Sequence, residues 1–211
     1  MLPYYGEHFS TTEINYTFRR LPTVQVLERW VMATPPEFKF SLKAPQEITH
    51  FQRLRDCAKV LTAFCNTLPA LNSKLGVVLF QLPPGFAKDI HVLADFLDAL
   101  PPGLRAAFEF RHASWHDDDV LALLKSKNVA LCIADSDRMT TPLAMTANFG
   151  YFRLRDEGYG EAAIANWAET IAKCNGQLGD VFVYFKHEEK GVGPKFAKQL
   201  IGLTANKFRP S

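Results

Sequence analysis

The sequence predicts an α/β protein of the TIM-type (β/α) barrel class, incomplete at its N-terminus, with seven recognisable strands. Three observations carry this. Short β-rich runs alternate with helical patterns along the whole chain, which argues for a parallel sheet with helices outside. Charged and amide side chains gather at the C-terminal ends of those runs, where barrels build their sites. No G-x-G-x-x-G and no P-loop follows the first strand, as an open doubly wound sheet would lead one to expect.

The strands are expected near Thr11–Asn15, Lys39–Ala44, Leu75–Gln81, Arg105–Arg111, Ala130–Asp135, Gly150–Arg155 and Asp180–His187. Helical patterns fill the intervals. Pro22–Thr34 starts with a proline suited to a first turn and sets Val26, Leu27, Trp30 and Val31 on one stripe. Arg55–Leu68, Asp89–Leu100, Asp117–Lys125, Glu161–Cys174 and Pro194–Phe208 follow the same logic. Asp117, Asp118 and Asp119 suit a helix N-terminus, where negative charge meets the helix dipole. No linker or low-complexity segment interrupts the rhythm, so residues 1–211 read as a single domain.

Alternation along a strand assigns faces. Lys43 shares a face with Ser41, Gln81 with Leu79, and Glu109 and Arg111 with Ala107. Phe40, Leu42, Phe80, Phe108, Phe110, Phe152 and Leu154 take the opposite face, toward the helices. Small and polar residues then point inward and bulky ones outward. The strand ends supply Glu13, Lys43, Gln81, Glu109, Arg111, Asp135, Arg153, Arg155 and Lys186.

The bulk composition narrows the function classes. With 24 Lys and Arg against 22 Asp and Glu, the net charge of +2 argues against a nucleic-acid or membrane-surface partner. The most apolar strand run, Leu75–Leu82, is far too short to span a bilayer. The start lacks a basic n-region and an apolar h-region, and the four cysteines form no C-x-x-C pair; a reducing cytoplasm is the simplest setting.

The motif Glu109-Phe110-Arg111-His112-Ala113-Ser114-Trp115 says most about chemistry. A carboxylate and a guanidinium two residues apart at the exit of a buried strand are costly unless paired or used. With Asp135 on the next strand they read either as an acid–base carboxylate beside an anion-holding guanidinium, or as a structural ion-pair ring. Glu13 and Lys43, on neighbouring strands, read either as a proton-shuttling pair or as a plain salt bridge. Arg153, Arg155 and Lys186 concentrate positive charge near Lys190-Gly191-Val192-Gly193-Pro194, where glycines let backbone N–H groups approach an anion at a helix start. Trp115, Tyr159 and Phe86 stand in loops and could stack on a ligand, or could cover their own core. His112 and His116 are four apart without a third ligand nearby, so no metal site is assigned; His50 and His187 stand near strand ends as alternative acid–base groups.

Several segments together carry a family resemblance. They are Tyr5-x-x-x-Phe9-x-Thr11-x-Glu13-Ile14-Asn15-x-Thr17-Phe18-x-Arg20-Leu21-Pro22, Phe40-Ser41-Leu42-Lys43-Ala44-Pro45, Leu79-Phe80-Gln81-Leu82-Pro83-Pro84, the Glu109 motif, and Tyr151-x-Arg153-Leu154-Arg155. From about Tyr4 to about Leu203 the chain resembles the YecE-like family, the domain of unknown function 72. That resemblance implies a TIM-type barrel and no established reaction. It also implies a strand before the first helix, which this sequence lacks, since Met1 falls inside that helix. The missing strand either lies upstream of the given start, the preferred reading, or is absent and leaves a seam whose sheet edges invite self-association.

The functional expectation is a metal-independent, cofactor-free hydrolase or isomerase acting on a small anionic or phosphorylated molecule. Glu109, Glu13, Lys43 and Asp135 are the catalytic candidates. Arg111, Arg153, Arg155, Lys186, Gln81, Asn15, Trp115, Gly191 and Gly193 are the binding candidates. The alternatives are a nucleic-acid-processing barrel, by fold-level analogy with endonucleases, and a non-catalytic anion-binding or interaction module.

Overall fold

The computed structural model describes residues 2–135, 140–156, 158–175, 178–186 and 191–205. Their backbone is an α/β TIM-type alternation of parallel strands and helices, grouped in two compact units, Met1–Leu123 and Leu124–Ser211. His187 and Lys190, considered above, lie outside the described residues.

The first unit holds β1 (Thr11–Ile14), β2 (Lys39–Lys43), β3 (Leu75–Gln81) and β4 (Ala106–Glu109), parallel and in sequence order. Its helices are α1 (Leu2–His8), α2 (Tyr16–Arg19), α3 (Val24–Met32), α4 (Ala58–Cys65), α5 (Ile90–Asp98) and the start of α6 (Asp118–Ser126). The second unit holds β5 (Ala130–Asp135), β6 (Phe149–Leu154) and β7 (Asp180–Phe185), again parallel and in order, with α7 (Glu161–Asn175) and α8 (Gly193–Thr204).

The predicted parity is observed. Phe80 and Phe108 stack on each other and meet Phe96 of α5 edge-on; Phe40 lies against Trp30 of α3, and Phe152 against Trp167 of α7. All four strand phenylalanines are 0% exposed, so each contributes about 1.5–3 kcal/mol of burial. On the other face, Ser41 and Lys43 of β2, Gln81 of β3 and Glu109 of β4 are buried polar groups.

Local chemistry sets the element ends. Thr23 caps α3 by accepting the Val26 N–H, and Asp89 caps α5 by accepting that of Val92. The strand predicted to reach Arg111 stops at Glu109, where the chain leaves the sheet. The helix predicted from Arg55 begins instead at Ala58. The reason is local: Arg53, Leu54 and Asp56 adopt φ of 49°, 68° and 48°, a left-handed backbone that cannot propagate a right-handed helix.

Lys74, 6% exposed, ties α3 to the sheet. Its Nζ donates to the carbonyls of Val31 and Thr34 at 2.7 and 2.8 Å and to Thr34 Oγ1 at 3.1 Å, where a cation complements the helix C-terminus. Lys74→Ala should lower unfolding stability by about 2 kcal/mol, since the carbonyls keep their burial and lose their charged donor. Urea denaturation measures this.

Candidate functional site

The site in the first unit grows from strand register. Gln81 of β3 lies opposite Glu109 of β4, and Gln81 Nε2 donates to Glu109 Oε1 at 2.7 Å. Arg111, two residues past Glu109, returns its Nε to the same oxygen at 2.9 Å. The carboxylate is 1% exposed, whereas 30% of the Arg111 side chain is exposed. The Arg111 terminal nitrogens make no hydrogen bond among the described residues. A planar guanidinium held at Nε keeps its outer edge for a second anion.

Lys43 ends β2 and is 7% exposed. Thr17 Oγ1 donates to the Lys43 carbonyl at 2.6 Å and pins the short α2 over the strand end. This places the Phe18 ring against the lysine, with Nζ 3.7 Å from the ring centroid. Such a cation–π contact is worth about 2 kcal/mol when desolvated. The other side of the cluster is His50, whose ring meets Phe18 edge-on at 5.0 Å. Burial, then Lys43, then Arg111 push the His50 pKa below its usual value. A small cleft of about 120 Å³ shares Phe18 and is also lined by Arg19, Arg20, Pro45, Glu47 and Phe51.

His50 sits on a π-helical turn, Glu47–Phe51, followed by the left-handed Arg53, Leu54 and Asp56. Each such non-glycine residue costs on the order of 1–3 kcal/mol and persists only where the surroundings impose it. Here Leu54 is buried, its carbonyl accepts from Cys57 Sγ, Arg55 pairs with Asp89 at 2.8 Å, and Arg53 and Arg55 lie over Phe86. Periodicity did not reveal this turn. The signal available was a helix pattern that failed between Pro45 and Cys57.

The other candidates fall as follows. Glu13 is half-buried and lies opposite Ser41, two positions short of Lys43 in the register. Asn15 is exposed and begins α2, its carbonyl accepting the Phe18 N–H. Trp115 is corrected: it is 0% exposed, stacked on Phe110 at 4.8 Å, and donates Nε1 to the Phe86 carbonyl at 2.6 Å. Its ring has no face left for a ligand; together with the 4% exposed Phe86 it covers its own core.

In the second unit, Asp135 ends β5 and accepts the Tyr159 hydroxyl at Oδ2, 2.8 Å. Burial and then this carboxylate push the Tyr159 pKa far above the usual range, so the phenol stays protonated. Arg153 of β6 is 0% exposed and lies opposite Tyr184 of β7. Arg155 and Lys186 are half-buried; the Arg155 N–H bonds to the Asp135 carbonyl and the Lys186 N–H to that of Leu154. Gly191 has φ of 61°, which its lack of a Cβ permits, and Gly193 is buried as the first residue of α8. Among the described residues, no group of three His, Cys, Asp or Glu side chains could hold a metal ion, and no helix is long and apolar enough to cross a membrane. The four cysteines are free thiols, and burial pushes Cys57, Cys65 and Cys174 above the usual thiol range.

The profile of the family described as "Protein of unknown function DUF72" matches residues 1–210. The chain belongs to this family. The UPF0759 protein YecE of Escherichia coli K12 is 35% identical over 109 residues, which are 51% of this chain and 40% of that protein. The UPF0759 protein YunF of Bacillus subtilis 168 is 25% identical over 238 aligned positions, covering 94% of this chain and 84% of that protein. Crystal structures of DUF72 proteins from Enterococcus faecalis V583 and Thermotoga maritima MSB8 share the fold, each with a TM-score of 0.84. The first is 20% identical and covers 97% of this chain and 93% of its own; the second is 21% identical and covers 93% and 85%. DUF72 membership thus accounts for the motifs and the fold, and names no reaction.

Two outcomes follow for the DUF72 site's supporting shell. Trp115→Phe should cost about 1–3 kcal/mol, because the buried Phe86 carbonyl loses its donor, and a melting curve reads the loss. Burial lowers the His116 pKa below the usual 6.5, and its Nε2 is buried without a hydrogen bond among the described residues. The unfolded chain therefore takes this proton first. Stability should fall as pH drops below 6.5 until the folded pKa is passed, and His116→Gln should flatten that slope in urea titrations across pH.

Proposed function

We propose that this DUF72 protein is a cytoplasmic hydrolase or isomerase acting on a small anionic or phosphorylated metabolite. The observation that carries the reading is the buried Glu109 carboxylate, fixed at one oxygen by Gln81 and Arg111, with 30% of the Arg111 side chain exposed. Arg111 and Lys43 would hold the anion, and Glu109 would take part in proton transfer with Glu13 as its partner. On the second unit, the same reading assigns anion holding to Arg153, Arg155 and Lys186, with the Gly191–Gly193 turn ahead of α8 as a place for an oxyanion. Asp135 keeps its catalytic assignment there, through its hydrogen bond with Tyr159. Four free thiols support the reducing compartment.

Thermal melts with inorganic phosphate, sugar phosphates and carboxylates test this. A ligand at one hundred times its Kd adds about 2.7 kcal/mol of stability. A shift with a phosphorylated compound, lost in Arg111→Ala, is expected. Once a turnover is found, Glu109→Gln should reduce it by about 10²–10⁴-fold. A normal cooperative melt that no anion moves would identify the Glu109 cluster as a structural ion pair.

A further inference from the structure

We propose that His50 is the proton acceptor of the first unit's site, with Nδ1–H held by Thr49 and Nε2 presented to the reacting group. This rests on the reading above in taking the ends of β2–β4 as the site. The geometry starts at Thr49, which is 1% exposed. Its Oγ1 lies 3.4 Å from the Pro45 carbonyl and 2.9 Å from His50 Nδ1. A threonine hydroxyl has one proton, and the Pro45 carbonyl can only accept. Both contacts are hydrogen bonds at once only if the hydroxyl proton goes to Pro45 and Oγ1 accepts Nδ1–H, and this is the order the proposal adopts. That order leaves the lone pair on Nε2, which makes no hydrogen bond among the described residues.

The ring is oriented from both sides. Phe18 packs against it edge-on, and the π-helical turn with its left-handed tail fixes the backbone beneath it. The charged groups that bear on it are Lys43 from β2 and Arg111 beyond β4; α2 presents Phe18, and the turn itself presents Thr49. Partial burial and then two cations disfavour imidazolium, so the ring is neutral at pH 7 and able to accept a proton. The same cations favour the negative charge that proton removal creates. In the step, an O–H or C–H bond of water or substrate breaks, its electron pair stays on that oxygen or carbon, and the proton bonds to Nε2. Lys43 and Arg111 then stabilise the new anion and urge the imidazolium to give the proton back.

Nitrogen-detected NMR of the full chain tests this without a known substrate. At pH 7 the His50 proton is expected on Nδ1, with a titration midpoint below 6.5 that rises in Arg111→Ala. Thr49→Val should shift the tautomer balance toward Nε2–H, and Thr49→Ser should restore it. Diethyl pyrocarbonate should modify His50 faster than His116, whose Nε2 is buried. A proton on Nε2 at pH 7, a midpoint at or above 6.5, or slower modification than His116 overturns the proposal. Inorganic phosphate should raise the His50 midpoint. If it does not, while tautomer and midpoint are as stated, the anion-holding reading fails and His50 keeps its assignment.

Discussion

Every second residue of a buried parallel strand faces the helices, and in β2, β3 and β4 those positions include a phenylalanine each. Phe40, Phe80 and Phe108 meet Trp30 and Phe96 there without exposed surface. The alternate positions carry the polar groups at the C-terminal ends of these strands, below apolar neighbours such as Val77 and Leu79, and buried polar groups must satisfy one another. Ser41, Lys43, Gln81 and Glu109 stand in this row. The candidate site is thus a by-product of strand parity: the pleat that aims a phenylalanine at a helix aims the next residue, Glu109, at Gln81.

Desolvation gives that row its chemical character. A carboxylate that is 1% exposed must be paired, and Glu109 has donors from its own segment and from the adjacent strand. Lys43 loses water too and recovers part of the loss from the face of Phe18. The result is a cluster of Lys43 and the Arg111–Glu109 pair, toward which the strained turn after β2 brings an imidazole whose pKa burial, Lys43 and Arg111 lower. Strain in Arg53, Leu54 and Asp56 is held by burial of Leu54 and by the Arg55–Asp89 pair, so the turn is anchored away from the ring it positions.

In the second unit a different balance holds. The Tyr159 hydroxyl is bonded to Asp135, and the Tyr159 ring is packed edge-on to Phe185 and Phe196. A phenol kept protonated beside a carboxylate is a donor, which suits a role in orienting Asp135.

All seven strands were legible because each combines β-rich composition with a turn signal and an alternation that the sheet preserves; Leu75–Gln81 and Ala130–Asp135 match residue for residue. The Glu109–Arg111 pair was legible from its spacing, although the strand ends at Glu109 and Arg111 returns to the carboxylate from beyond the sheet. His50 is named from its place near a strand end and Trp115 is left open between ligand and core; the turn that sets the His50 ring against Phe18 and the burial of Trp115 were decided by tertiary structure. Left-handed backbone at Arg53, Leu54 and Asp56 depends on what Leu54 and Arg55 pack against, and no local preference announces it. Trp115 sits in a polar loop segment, yet Phe110 and the Phe86 carbonyl draw it wholly inside. Periodicity reports which side of an element a residue takes. Contacts between residues distant in sequence decide whether that side meets solvent, a partner or the core.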